Sequence, residues 1–567
     1  MIFNIKKLFL DVKFQAMNTS AIIFLLSGLI AIISVYLIFY SLHNVRRKKI
    51  LKKIRAEWGH PKTEWRNFEQ IENFSTVCTS SSFHKLDKQT LNDIDFYDLF
   101  ENLDRTQSRP GQQYLFNKLI TPTDDISQLK LFNEQVIFFS ENAGARENAQ
   151  LLLEKLSNYD AYYIVNLLGG DLSVDSKFKI FYIADTLTVI AMLLLSAAYP
   201  ILLIWLILPL TLNVVIHFIN RNKKVKFIKS FPWLKRLIGV SQSLIQKGFP
   251  FENMVAQKNI NNLKRFKRMY NLLSFGEDTG EGIHQLFFYL FDMIKALFLV
   301  ETHTFRSIVQ ELKYKKEDIE NLIIFIGGVD AAISTASLRA GAEAGYCIPK
   351  FLKTEKSLSA TKMYHPLIPG CTPNSIEVNA KSVLLTGSNM SGKSTFIRSI
   401  AINIILAQTI YTCFAEKFHL PFLKVFSSIR ISDNLEESAS YYLNEVNAVG
   451  NLIKESDTSF QNLFILDEIF KGTNTIERIA GAKAVLSYLN KKENIVFVST
   501  HDIELAELLH SQYALYHFTE DVENDTLCFD HQLKPGPLKT RNAIKIMALA
   551  NYPEAIIKEA ELLSGKY

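Results

Sequence analysis

Apolar and polar positions divide the chain into segments of different character. The first long apolar run is "AIIFLLSGLIAIISVYLIFY", Ala21 to Tyr40, which contains no charged residue. As a helix it is long enough to cross a bilayer. The stretch after it, "RRKKILKKIR" (Arg46 to Arg55), carries seven basic residues and no acid. That is the flank of a cytoplasmic end, so the chain beyond Tyr40 is expected on the cytoplasmic side. The basic flank argues against the alternative of a buried core helix. The lack of a small-residue cleavage site argues against a signal peptide.

A second apolar block runs from Ile180 to Ile219, with Asp185 as its only charged residue and His217 near its far end. It is too long for one crossing and suits two short ones. "AAYP" (Ala197 to Pro200) supplies the break, because proline pushes the preceding residue out of the helical region. Basic residues flank both ends: Lys177 and Lys179 before, then Arg221, Lys223, Lys224, Lys226 and Lys229 after. The pattern predicts a hairpin that leaves and returns to the same side; a hydrophobic hairpin buried in a soluble domain is the alternative.

Further on the pattern changes period. "SVLLT" (Ser382 to Thr386), "LFIL" (Leu463 to Leu466) and "NIVFVST" (Asn494 to Thr500) read as buried strands, and Lys393 to about Gln408 reads as a helix. Between the first strand and that helix stands "GSNMSGKS", which fits G-x-x-x-x-G-K-[ST]. Gly387 and Gly392 let the backbone of Ser388, Asn389, Met390 and Ser391 turn its N–H groups toward phosphate oxygens. Lys393 is suited to the β- and γ-phosphates and Ser394 to Mg²⁺, with Thr395 next in the helix whose positive end faces the anion. Asp467, at the end of the second strand, suits the same Mg²⁺. Glu468 beside it suits the polarisation of an attacking water, and His501, after the third strand, suits sensing of the γ-phosphate. An acidic pair after a strand is common; after a phosphate loop it points to ATP hydrolysis.

Composition alters this picture little. The chain has 567 residues, room for several domains, and a net charge of +6 that permits an acidic partner without requiring one. Five cysteines stand far apart with no C-x-x-C pair, so neither a zinc site nor a disulfide framework is indicated and a reducing compartment fits. "NLKRFKRMY" (Asn262 to Tyr270) groups Lys264, Arg265, Lys267 and Arg268 with two aromatics, a pattern for gripping phosphates or for a solvated helix face. The Arg46–Arg55 cluster, beside an apolar run, suits anionic lipid headgroups.

"TGSNMSGKST", "DEIFKGTNT" (Asp467 to Thr475) and "STHD" (Ser499 to Asp502) together resemble the ATPase domain of the MutS family of DNA mismatch repair proteins. "SSIRISDNLEESASYYLNEV" (Ser427 to Val446) is similar to the family segment that reaches a neighbour's nucleotide. There Ser440 matches the serine acting in trans and Glu445 the acid after it. "KMYHPLI" (Lys362 to Ile368), "LKPGP" (Leu533 to Pro537) and "NYPEAIIKEAELL" (Asn551 to Leu563) resemble elements that open and close that domain. "NLDRTQSRPGQQYLFNKLITP" (Asn102 to Pro122) resembles the first core helices, and "IGGVDAAISTASLRAGAEAGYCIPKF" (Ile326 to Phe351) the lever helix.

The resemblance implies a multi-domain protein: transmembrane helices, an all-α core and lever, and an α/β P-loop domain of the ABC type. The expected division is 1–60 anchor, 61–94 linker, 95–177 first part of the core, 180–219 hairpin, 221–351 second part and lever, and 353–567 ATPase. It also implies ATP and Mg²⁺, a dimer through the ATPase domain, and DNA, duplex or branched, as a partner beside membrane lipid. The family's mismatch-reading domain with its Phe-x-Glu wedge has no counterpart before Asp95, its clamp is not evident, and its C-terminal dimerising extension is not expected here. Mismatch recognition is therefore not implied. A multi-pass protein of the inner membrane with a cytoplasmic ATPase domain is expected. The competing class is a transporter-type ATPase, but "ESASYYLNEV" replaces the LSGGQ-like signature that class requires.

Overall fold

The computed structural model describes residues 2–78, 82–169, 179–216, 229–249, 253–273, 293–353, 356–388, 391–430, 441–523, 526–538 and 552–564, with 544 and 547. Of the predicted site residues, Asn389, Met390 and Ser440 lie outside that set, as do Lys177, His217 and the basic residues from Arg221 to Lys226.

The chain forms two units, Met1–Trp58 and Gly59–Tyr567. The first is one helix, Ile2–Glu57, whose apolar side chains from Phe24 to Tyr40 are exposed where they are described. By length and composition it can cross a membrane.

The second unit has a helical part and an α/β part. The long helix Lys316–Ala340 runs through the middle of the helical part, packed on the helices Arg109–Ile120 and Ile126–Glu141. Small residues allow the close approach: a side chain at Gly327 would collide with Tyr114. The buried Asp330 carboxylate accepts the Gln107 and Ser108 N–H groups (2.8 and 2.7 Å) and the Ser108 hydroxyl (2.6 Å). Ser108 in turn caps the helix Arg109–Ile120 through Gly111 N–H.

The apolar block 180–219 is a hairpin over its described residues. Helix Lys179–Leu195 turns at Tyr199–Pro200 and the chain returns as the apolar helix Leu202–Ile216. One side packs inward through Val189, Leu206 and Asn213, with the Asn213 side chain donating to Leu297 O (2.8 Å) and Thr186 Oγ1 3.0 Å from His303 Nε2. The other side exposes Ile180, Leu187, Leu194, Ile204, Trp205 and Leu208. The outgoing helix has 17 residues, about 25 Å at 1.5 Å per residue and short of a ~30 Å hydrocarbon core.

Strands are numbered in chain order. A four-stranded sheet has the order β1 (Lys350–Phe351), β5 (Lys417–Leu420), β2 (Ser357–Met363), β3 (Asn374–Asn379). The central sheet runs β12 (Lys534–Pro535), β9 (Tyr513–His517), β4 (Ser382–Thr386), β8 (Ile495–Thr500), β7 (Asn462–Asp467), β6 (Lys424–Ser428). Its strands are parallel except β12, and β4, β7 and β8 are near-continuous buried apolar runs, as a sheet covered on both faces demands. β10 (Glu520–Glu523) and β11 (Thr526–Phe529) form a separate hairpin.

One expectation needs correction. Residues 61–94, expected to link anchor and core, carry the helices Phe68–Val77 and Lys88–Asp93, and Ile71, Phe74, Leu86 and Leu91 are buried. This stretch also covers the outer edge of β6. His84 Nε2 donates to Val425 O (2.9 Å), and Thr90 Oγ1 accepts Ser427 N–H (3.2 Å). The buried Asp93 carboxylate accepts from Ser427 Oγ (2.7 Å), Ile429 N–H (2.9 Å) and Arg430 N–H (2.8 Å). An open sheet edge must be paired or covered, and here side chains from the supposed linker do it. The basic stretch near Asn262 takes the second of its two readings, a solvated helix face. In the helix Lys264–Leu273 the aromatics Phe266 and Tyr270 point into the core, leaving Lys264, Arg265 and Arg268 outside as charges without a stacking platform.

Candidate active site

Parallel strands bring their C-terminal ends to one side of the central sheet, where loops from β4, β7 and β8 meet. Beyond β4 the chain turns through Gly387 (φ +147°) and Gly392 (φ +111°), backbone conformations that favour glycine. A side chain at Gly387 would meet Phe518 O at 2.8 Å. Gly392 caps the helix Lys393–Thr409, whose N-terminus faces the loop.

Lys393 is buried and folded back on the loop, donating to Gly387 O and Ser388 O, both at 2.7 Å. Burial pulls its ammonium down to about 8. Ser388 donates to the Glu520 carboxylate, and Ser391 Oγ donates to Ser388 O (2.8 Å). Thr395, also named from sequence, follows at the start of the helix and lines the adjoining cavity.

Ser394 Oγ donates to Asp467 Oδ2 at 2.6 Å, and the other oxygen of Asp467 accepts from the Ser499 hydroxyl. A hydroxyl and a carboxylate oxygen converging at the mouth of a phosphate loop are hard oxygen donors of the type Mg²⁺ prefers. Next to Asp467, Glu468 has φ +54°, a left-handed conformation held by donation of its own N–H to Ser499 O (2.9 Å). Glu468 Oε1 meets His501 Nε2 at 2.8 Å and Oε2 meets Lys471 Nζ at 2.9 Å. The His501 hydrogen bond, with help from Lys471, holds the Glu468 carboxyl down at about 2, so it stays ionised at neutral pH. The structure thus brings Ser394, Asp467, Glu468 and His501 to one place.

Several residues at this site carry no signal in a single sequence. Arg478 grips Asp502 with two hydrogen bonds (3.0 and 2.8 Å), fastening the loop that carries His501 to the helix Thr475–Leu489. Glu445, matched above to a family acid, is buried and accepts the N–H groups of Lys471 (3.0 Å) and Gly472 (3.4 Å); it supports the loop after Glu468. Beside the phosphate loop lies a cavity of about 460 Å³ lined by Met363, Tyr364, Ile368, Cys371, Phe518 and His531. His531 is held by donation from Nδ1 to Ser391 O (3.1 Å) and lies parallel to Phe529. An apolar and aromatic slot continuous with a phosphate loop has room for a nucleoside.

Residues 383–566 match the family model "MutS domain V". The DNA mismatch repair protein MutS of Thermus aquaticus is 30% identical over 269 residues, covering 46% of this chain and 32% of that protein. MutS of Chlamydia muridarum is 30% identical over 320 residues (54% of this chain, 38% of the relative), and MutS of Lactobacillus acidophilus 29% over 276 residues (47% and 32%). The matched region thus spans about a third of the length of these relatives. Domain V is the ATPase domain of MutS proteins, and residues 383–566 of this chain are a domain of that MutS type.

Proposed function

We propose that this chain is a membrane-anchored MutS-like ATPase that hydrolyses ATP in a dimeric composite site and binds DNA without preference for mismatches. The observation that carries the catalytic reading is the joined set Ser394–Asp467 and Glu468–His501 at the strand ends beside the phosphate loop. Ser394 and Asp467 would hold Mg²⁺, which when bound neutralises charge on the phosphates. Lys393 would exchange its two loop carbonyls for phosphate oxygens. Glu468, kept ionised by His501 and Lys471, would accept hydrogen bonding from a water and orient it. The neighbour's Ser440 would complete the site, which makes the working unit a dimer; this role rests on the family resemblance.

Lys393→Ala should weaken nucleotide binding in a titration at neutral pH. Glu468→Gln should leave binding near wild type and lower turnover by 10²-fold or more. Unchanged affinity in the first variant, or near-normal turnover in the second, rejects the assignment.

For DNA, the outward charges Lys264, Arg265 and Arg268 read phosphates and not bases. Binding should be weak, equal for matched and mismatched duplex, and lost as salt rises. An anisotropy series across salt checks this, and a salt-resistant preference for a mismatch would refute it. A second reading is favoured by the apolar outer side of the hairpin: an ATPase whose closing movement acts on the membrane and not on DNA. Absence of DNA binding at any salt would select it.

A further inference from the structure

Cys347 lies between the end of the long helix Lys316–Ala340 and β1, and Cys413 follows the phosphate-loop helix Lys393–Thr409. Far apart in sequence, they face each other across an isolated antiparallel bridge. Cys347 N–H donates to Cys413 O (2.8 Å) and Cys413 N–H to Cys347 O (2.9 Å). A pair that exchanges both bonds has its Cα atoms about 5.5 Å apart, inside the ~4.4–6.8 Å range of disulfides. The Cys413 thiol donates to Asn403 O (3.5 Å) in the phosphate-loop helix.

The two thiols are not equivalent. Cys413 is fully buried and Cys347 is half-buried. Burial pushes the Cys413 thiol up, whereas interaction with the neighbouring Cys413 draws the Cys347 thiol below its ordinary value. An accessible sulfur with thiolate character beside a buried partner thiol is the arrangement of an attacking and a resolving cysteine. The pair also stands at a joint. Arg339, near the end of the long helix, donates to Thr412 Oγ1 (3.0 Å), Tyr411 O (3.0 Å) and Asn133 Oδ1 (2.8 Å), so the long helix meets the end of the phosphate-loop helix here.

We propose that Cys347 and Cys413 are a redox-modification site that closes to an intramolecular disulfide and locks this joint. With a peroxide as oxidant, the Cys347 thiolate attacks one peroxide oxygen. The S–O bond forms, the O–O bond breaks, and hydroxide leaves to become water, giving a sulfenic acid. Cys413 sulfur then attacks Cys347 sulfur. The S–S bond forms, the S–O bond breaks, and the departing hydroxide takes the Cys413 proton as a second water. Two thiols and one peroxide become one disulfide and two waters, and a dithiol reductant reverses the change. Directly opposed Cβ atoms lie about 4.5–5.5 Å apart and must close to about 3.8 Å. Closing the bond draws the two backbone segments of the bridge together, which is what would lock the joint.

The test uses the full-length protein treated with hydrogen peroxide, then alkylated and mapped without reduction. The expected result is a cross-linked peptide pair carrying Cys347 and Cys413. It should be absent in Cys347→Ser and in Cys413→Ala and retained in Cys371→Ser. Both thiols still alkylating after oxidation, or Cys347 passing to sulfinic acid without a cross-link, overturns the proposal. The lock rests on the ATPase reading and has its own readout. Turnover of the oxidised wild type should fall several-fold and recover with dithiothreitol, while Cys347→Ser is indifferent to peroxide. A cross-link that forms without changing turnover overturns the lock, and a protein with no turnover before oxidation counts against the ATPase reading while the map still decides the site.

Discussion

Two apolar helices of this molecule, Lys316–Ala340 and Lys179–Leu195, are of similar character in sequence and opposite in fate. The first is long and apolar enough to cross a membrane, yet most of it is buried within the protein. The second turns residues such as Ile180 (81% exposed) and Leu194 (74% exposed) outward. Hydropathy alone does not separate them. Both bond polar side chains to neighbouring elements, Asp330 and Arg339 in the first and Thr186 in the second, but the first is packed along most of its length, with a glycine where Tyr114 presses close, while the second leaves one side exposed. A helix that carries paired charges into a core is built for protein neighbours. One whose outer side is mostly apolar is suited to a different surrounding.

The largest expected effect breaks the first half of that contrast. Asp330→Ala leaves two N–H groups and one hydroxyl without an acceptor and should destabilise the protein by about 3 kcal/mol, measured by chemical denaturation. Leu194→Lys should change that stability by less than about 0.5 kcal/mol if the residue is free in water. If it lies in lipid, the same change costs about 2.5–3.5 kcal/mol of insertion. Removing residues 21–40 should therefore leave the protein in the membrane fraction, and adding Leu194→Lys with Leu187→Lys should release it. Release by the deletion alone would make the hairpin a protein-facing element.

The smallest effect is one of pH. Burial pushes the Asp330 carboxyl up to about 6, above its ordinary 3.8. The folded state therefore holds this proton more tightly, and the contribution is greatest below pH 3.8 and lost as pH rises through 6. Between pH 5 and 7 stability should fall by about 1 kcal/mol, and Asp330→Asn should remove that slope. An unchanged slope in the variant would place the titration elsewhere.

The place of the candidate nucleotide site was the most legible part of the sequence because the pattern that marks it is local. A glycine-bounded loop must follow a strand and open a helix, and the residue after a buried strand must stand at the sheet's end, so Lys393, Ser394, Asp467, Glu468 and His501 could be read one by one. The cavity beside His531, the Arg478–Asp502 clasp and the Cys347–Cys413 pair join residues distant in sequence, and nothing within a short window encodes them. Residues 84–95 misled for a related reason. Their polar character suits an edge strand's unsatisfied backbone as well as it suits water, and only the sheet order distinguishes the two.

That edge has a thermodynamic consequence. Asp93 accepts from the Ser427 hydroxyl and from the Ile429 and Arg430 N–H groups, and Asp95 pairs with Arg430 and with Arg398 of the phosphate-loop helix. Linkage is reciprocal: if a ligand of the helical part altered the affinity of the phosphate-loop side for its own ligand by some factor, that ligand would alter the first affinity by the same factor. Two carboxylates, Asp93 and Asp95, are the bonded link through which such coupling would pass, and titrating either ligand in the presence of the other measures it.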